Sequence, residues 1–326
     1  MSRMAQIAPF NEEQNRALVN LDQRYQVWIE AERTLAGLPY DLRRKEIGGR
    51  AYLYEINDRS GNGKSLGPWS PQNERKFAAY RLEKLAAKER RDGARAALDE
   101  SARICRALRL PQLPAAAGEI LREADIRDLL GKKILVVGTN AIAAYAIEAA
   151  GRIVGAPDTT DDFDIAWTAQ EESAQSNTIW DMLMAVDPTF TVNTERPFQA
   201  RNRKAYEVEI LVAPSRAGTM GKTDQPHPVA LPEQEWLLRG RAVDRVVPCG
   251  DSAARIVAPD PRWFALQKLW LSAQPKRNPL KRAKDRKQGQ MLLDAIASAM
   301  PQYPLDRTFR DALPAELKPL MAQWRA

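Results

Sequence analysis

The chain has 326 residues, enough for two or three domains built around a real core. With 44% hydrophobic and 28% charged residues it reads as globular and not as disordered, and its net charge of +7 favours an anionic partner such as a nucleotide or nucleic acid. Two distant cysteines, Cys105 and Cys249, exclude a disulfide framework, and a single histidine, His227, excludes chemistry that needs histidine pairs and most transition-metal sites.

The opening MSRMAQIAPFNEEQ lacks the apolar run of a secretory leader. Apolar residues at helical spacing (Leu18, Leu21, Tyr25, Trp28, Ile29) then predict a first helix. AYLYEI reads as a strand and NDRSGNGKS as a turn. The GNGKS within it invites a phosphate-loop reading, but that pattern needs a glycine where Asp58 stands, and no buried strand feeds a helix here. A glycine-rich hairpin turn is expected instead, with Lys64 able to touch an anion from outside the main site. Ser70 as N-cap, Pro71 at the first helical position and Glu74 just after start a long charged helix.

Two prolines in LRLPQLPAAAG mark a boundary near residue 112. Beyond it, KILVVGT reads as a short buried strand, NAIAAYAIEAA as a small-residue helix, and DFDIAW and YEVEILVA as strands. The apolar stretch ILVVGTNAIAAYAIEAAG carries Thr139, Asn140 and Glu148 and is too alanine-rich for a membrane span, so a soluble cytoplasmic protein without membrane contact is expected. From Asp260, an N-cap followed by Pro261, the chain reads as helical to its end. The expected organisation is α+β: a mainly helical region 1–112 with a short hairpin, a mixed-sheet core 113–258, and a helical region 259–326.

The chemistry concentrates in the core. After Gly138 a helix begins at once, offering free N–H groups and the positive end of its dipole, and with the Thr139 hydroxyl this makes a cradle for a triphosphate. Asp162 and Asp164 lie two apart on a strand and share a face, with Phe163 and Ile165 turned to the core. Paired hard oxygen donors of this kind suit Mg²⁺. Glu207 and Glu209 share a face of the later strand, and Glu209, between Val208 and Ile210, is the candidate third carboxylate. Asp161 faces away from Asp162, and Thr160 offers a loop or ligand hydrogen bond. Lys268 either faces the cleft and neutralises phosphate or pairs with Asp285. The run Lys276 to Lys287 holds seven basic residues against Asp285 alone, a surface for RNA or a triphosphate as well as a solvated face.

Gly138-Thr139, then Asp162-Phe163-Asp164, then Val208-Glu209-Ile210 resemble the DNA polymerase beta-like nucleotidyltransferase superfamily, in a bacterial branch whose acceptor is unassigned. PDPRWFALQKLWLS and KRAKDRKQ are similar to that branch's C-terminal helices. Thr139 stands where glycine or serine is usual, Glu209 where aspartate is commoner, and Gln267 where the branch often has histidine. The resemblance implies a small mixed-sheet nucleotidyltransferase core that moves a nucleoside monophosphate from a nucleoside triphosphate to a hydroxyl of RNA, a protein or a small molecule. Asp162, Asp164 and Glu209 would be catalytic and hold two Mg²⁺ ions, with Gly138, Thr139, Asn140 and Lys268 toward the triphosphate. A toxin-like role fits the superfamily. The alternative is an inactive nucleotide- or RNA-binding protein of the same fold.

Overall fold

The computed structural model describes residues 7–156, 162–171, 177–221 and 223–325; Thr160 and Asp161 lie outside them. The fold is α+β, in two compact units: residues 23–101, and the described residues up to Asp22 together with those from Ala102 onward.

The larger unit begins with β1 (Ile7–Pro9) and the start of α1 (Glu12–Gly37). The smaller unit holds the rest of α1, then β2 (Asp41–Ile47), β3 (Arg50–Ile56) and β4 (Gly63–Pro68) as an antiparallel meander, and most of α2 (Pro71–Ala107). Its small core joins Leu42 and Leu53 to Tyr80, with Trp69 and Phe77 packed against them. α2 starts as its sequence dictates: Asn73 N donates to Ser70 Oγ at 3.2 Å, and Pro71 takes the first helical position. The turn after β3 ends at Asn62, whose carbonyl accepts from Asn57 N at 2.7 Å. Gly63, Lys64 and Ser65 therefore belong to a strand and not to the expected turn, and Lys64 Nζ lies 3.3 Å from Glu55 Oε1 across the pair.

The larger unit continues with α3 (Ala115–Ile126), β5 (Ile134–Val136), α4 (Ala141–Glu148), β6 (Gly151–Ile153), β7 (Asp162–Trp167), α5 (Thr178–Val186), β8 (Thr191–Val192), β9 (Gln199–Arg201), β10 (Glu207–Val212) and β11 (Val229–Ala230). Then come α6 (Gln234–Leu237), the hairpin of β12 (Val243–Cys249) and β13 (Ser252–Ala258), and helices α7 (Pro261–Ala273), α8 (Pro279–Ala299), α9 (Arg307–Asp311) and α10 (Lys318–Arg325). The central sheet is mixed, in the order β5-β7-β10-β9-β8. β7 and β10 run parallel, β5 is antiparallel to β7, and β10 gives its first half to β9 and its last two residues to β11.

One face of this sheet is core. Phe163, Ile165 and Trp167 from β7 and Val208, Ile210 and Val212 from β10 are all buried, and Trp167 Nε1 donates to Thr219 Oγ1 at 2.9 Å. α4 can be buried because it is rich in alanine; it packs on β12, Tyr145 donates to Pro259 O at 3.0 Å, and Glu148 at its end pairs with Arg245 of β12 at 2.6 Å. Asp260 caps α7 by accepting from Arg262 N at 2.9 Å, and Asn278 caps α8 by accepting from Leu280 N at 2.9 Å. α7 and α8 cross closely at Gly289, where a Cβ would stand 2.7 Å from Ala265 O. No helix among the described residues is long and apolar enough to cross a membrane.

Candidate active site

The alternation of β7 turns Asp162 and Asp164 to the face opposite Phe163 and Ile165, and β10 does the same for Glu207 and Glu209. The parallel register sets Glu207 beside Asp162 and Glu209 beside Asp164. Four carboxylates thus occupy two neighbouring rungs of one sheet face. β5 runs into the same place: Val137 N donates to Asp164 O at 3.1 Å, and the chain then turns through Gly138, Thr139 and Asn140 into α4.

Gly138 is fixed by space. A Cβ there would lie 2.1 Å from Asp164 Oδ2, so any side chain displaces that carboxylate. Asn140 Nδ2 donates to Asp162 O at 3.2 Å, while its buried Oδ1 has no partner among the described residues. Thr139 Oγ1 accepts a long bond of 3.5 Å from Gln288 Nε2.

The electrostatics follow from this crowding. Burial first, then the negative charges of Asp162 and Glu209, push the Asp164 carboxyl up to about 7, against the pull of Lys268 and Lys281. Glu209 is raised by burial and by Asp162, and is held back by Gln199, Lys281 and Arg196. Gln199 Nε2 bridges the rungs, donating to Glu207 Oε2 at 2.9 Å and to Glu209 Oε1 at 3.1 Å. Arg201 pairs with Glu207, and Lys281 Nζ sits 3.6 Å from Asp162 Oδ2. A lysine in the first turn of α8 runs against the helix dipole, so a nearby anion is what makes this position favourable.

Lys268 takes the second of the two places its sequence left open. It is buried, with Nζ 3.5 Å from Asp285 Oδ1, and Arg277 Nε holds the other oxygen at 2.9 Å. Burial lowers the Lys268 ammonium, and Asp285 and then Asp164 act against that shift.

The structure therefore brings Asp162, Asp164, Glu209, Gly138, Thr139 and Asn140 to one end of two parallel strands, with Lys268 behind them, paired to Asp285. Two further residues of the site, Lys281 and Gln199, carry no mark in the sequence. Lys281 was one member of the basic run, and nothing in PFQARN marks Gln199. Crowded, mutually repelling oxygen donors are the chemistry of a hard divalent cation site. Among the described residues no three His, Cys, Asp or Glu side chains already stand in ligating positions.

A family model described as nucleotidyltransferase matches residues 115–314. Among solved structures the chain is similar to an antigenic nucleotidyltransferase-like protein from Paracoccidioides brasiliensis, at 16% identity and a TM-score of 0.36, over 64% of this chain and 86% of that one. No curated protein matches the chain.

Proposed function

The chain belongs to the nucleotidyltransferase family, and from that premise we propose that it is a DNA polymerase beta-like enzyme that transfers a nucleoside monophosphate from a nucleoside triphosphate to a hydroxyl, with RNA as the favoured acceptor. The observation that carries this reading is the pairing of Asp164 with Glu209 on parallel strands beneath a turn whose glycine touches the Asp164 carboxylate.

In the proposed reaction the acceptor oxygen bonds to the α-phosphorus, the bond from that phosphorus to the bridging oxygen breaks, and pyrophosphate leaves. The proton of the acceptor goes to a carboxylate of the cluster. Glu209 is suited to take it, because burial raises its carboxyl while Gln199 fixes its direction. The turn at Gly138–Asn140 and the N-terminus of α4 would receive the triphosphate, and Lys281 would add positive charge at the same edge. Asp162, Asp164 and Glu209 would hold Mg²⁺, as two ions. When bound, Mg²⁺ supplies the positive charge that lets phosphate oxygens and carboxylates share this site.

The test is transfer from radiolabelled triphosphates, with Mg²⁺, to total RNA and to a protein extract. The wild type is expected to label the RNA fraction, and Asp162→Ala with Asp164→Ala to lose labelling on the order of 10³-fold, as removal of several kcal/mol of transition-state stabilisation requires. Wild type that labels neither fraction would sink the enzyme reading.

A second reading, a nucleotide-holding protein without turnover, is favoured by the absence of a ready-made three-ligand cluster among the described residues and by glutamate at 209. It predicts triphosphate binding by equilibrium dialysis with no label transferred.

A further inference from the structure

A cleft of about 760 Å³ opens within residues 23–101, between the end of α1, the start of β2, the turn after β3 and one side of α2. Five cationic side chains line it, Arg43, Arg59, Lys84, Lys88 and Arg91, and Asp41 is the one carboxylate among its lining residues.

These charges are not equally committed. Arg43 Nε is held 2.8 Å from Asp41 Oδ2, and Arg91 leans on Asp92 and Glu32. Lys84 is held by neutral oxygens, Pro39 O at 2.8 Å, Tyr80 Oη at 2.7 Å and Tyr40 O, which fix its ammonium without cancelling its charge. Arg59 and Lys88 make no ion pair among the described residues. The acid next to Arg59, Asp58, is turned onto its own loop, where Oδ1 accepts from Asn62 N and Oδ2 from Asn62 Nδ2.

Basic residues on a helix usually fan out into water. Here they come from a strand, a turn and a helix, converge on one concavity, and outnumber the acid that faces them. The volume lies inside the range of about 300–1,000 Å³ usual for small-molecule sites. At the lip stands the half-exposed ring of Tyr40, with Lys84 Nζ 5.6 Å from its centroid, an aromatic face beside fixed positive charge.

We infer that this cleft binds a nucleotide unit, free or within single-stranded RNA, with its phosphates on Arg59, Lys84 and Lys88 and its base against Tyr40. The site lies outside the stretch that matches the family, and does not depend on the transfer reaction.

The test is fluorescence anisotropy of a short labelled oligouridylate on the full chain, with competition by ATP and by inorganic pyrophosphate. EDTA is present, so triphosphate binding that needs Mg²⁺ at the carboxylates is silent. Arg59→Glu with Lys88→Glu is compared with Arg75→Glu and Lys76→Glu, an equal charge change elsewhere on the same unit. The cleft pair is expected to weaken binding by about tenfold or more and to lower the slope of log affinity against log salt by about two, and the control pair to change affinity by about twofold at most. Displacement by ATP identifies a free nucleotide as sufficient, and displacement by longer RNA alone identifies the polymer. Equal weakening by both pairs, no binding by wild type, or pyrophosphate competing as well as ATP overturns the proposal. All four positions are exposed, and circular dichroism checks the fold; if the glutamate pair unfolds, Arg59→Gln with Lys88→Gln is held to the same outcomes. Failure here leaves the radiolabel experiment untouched, and the reverse holds.

Discussion

Two regions of this chain gather like charges, and they do so under opposite conditions. On the central sheet, half-buried carboxylates of β7 and β10 are packed together where part of their water is lost, and the Asp164 carboxyl rises to about 7. In the cleft of residues 23–101, cations collect at a solvent-facing surface. The lesson is that a charge cluster costs little where solvent screens it and much where solvent is excluded. The half-buried carboxylates therefore repel one another beyond what Lys281 and Arg201 offset, while the solvent-facing cations are merely attractive to anions.

The contrast can be broken or sharpened by substitution. The largest effect is expected at the ion pairs that join α7 to α8. Asp285→Ala leaves Lys268 and Arg277 without their shared carboxylate in a buried setting and should cost about 3–5 kcal/mol in urea unfolding. Next comes Asp164→Asn. Well below pH 3.8 the carboxyl is protonated in folded and unfolded chains alike. As pH rises toward 7 the unfolded chain ionises first, so folded wild type loses stability, and moving a carboxyl from 3.8 to about 7 corresponds to roughly 4 kcal/mol. Thermal melts in EDTA should show the variant more stable than wild type at pH 8 and little changed at pH 4. A pH-independent difference would refute the upward shift of Asp164. Gly138→Ala should lower kcat/KM about 10²-fold by pushing the Asp164 carboxylate out of place, with a smaller effect on melting. The smallest effect belongs to the solvent-facing cluster. Asp41→Ala, removing an exposed partner of Arg43, should change stability by less than about 1 kcal/mol, and anisotropy should show oligouridylate bound more tightly.

Much of the sheet face was legible, because period-two alternation is strong when one face is entirely core. Phe163, Ile165, Val208 and Ile210 announced the strands that carry Asp164 and Glu209. Caps were legible for the same local reason: Ser70-Pro71 and Asp260-Pro261 need only their own neighbours. β2 carries no such signal. In DLRRKEI only Leu42 is buried, so no apolar period survives to be read. Strand order is set by long-range pairing, which is why β9 beside β10, and with it the reach of Gln199, left no mark on the sequence. Lys268 could be narrowed to two partners because both were acids or phosphates; choosing between them required the packing of α7 against α8.

The register of β7 on β10 has one more consequence. A strand slipped by a single residue turns every side chain to the opposite face. Slippage of both strands here would drive Asp162, Asp164, Glu207 and Glu209 into the hydrocarbon interior and bring Phe163, Ile165, Val208 and Ile210 out to water. That penalty exceeds the net stability of about 5–15 kcal/mol typical of a folded domain. A chain with the acids misaligned is thus not an inactive fold but no fold at all, and quality control that removes unfolded chains also proofreads the alignment of the carboxylates.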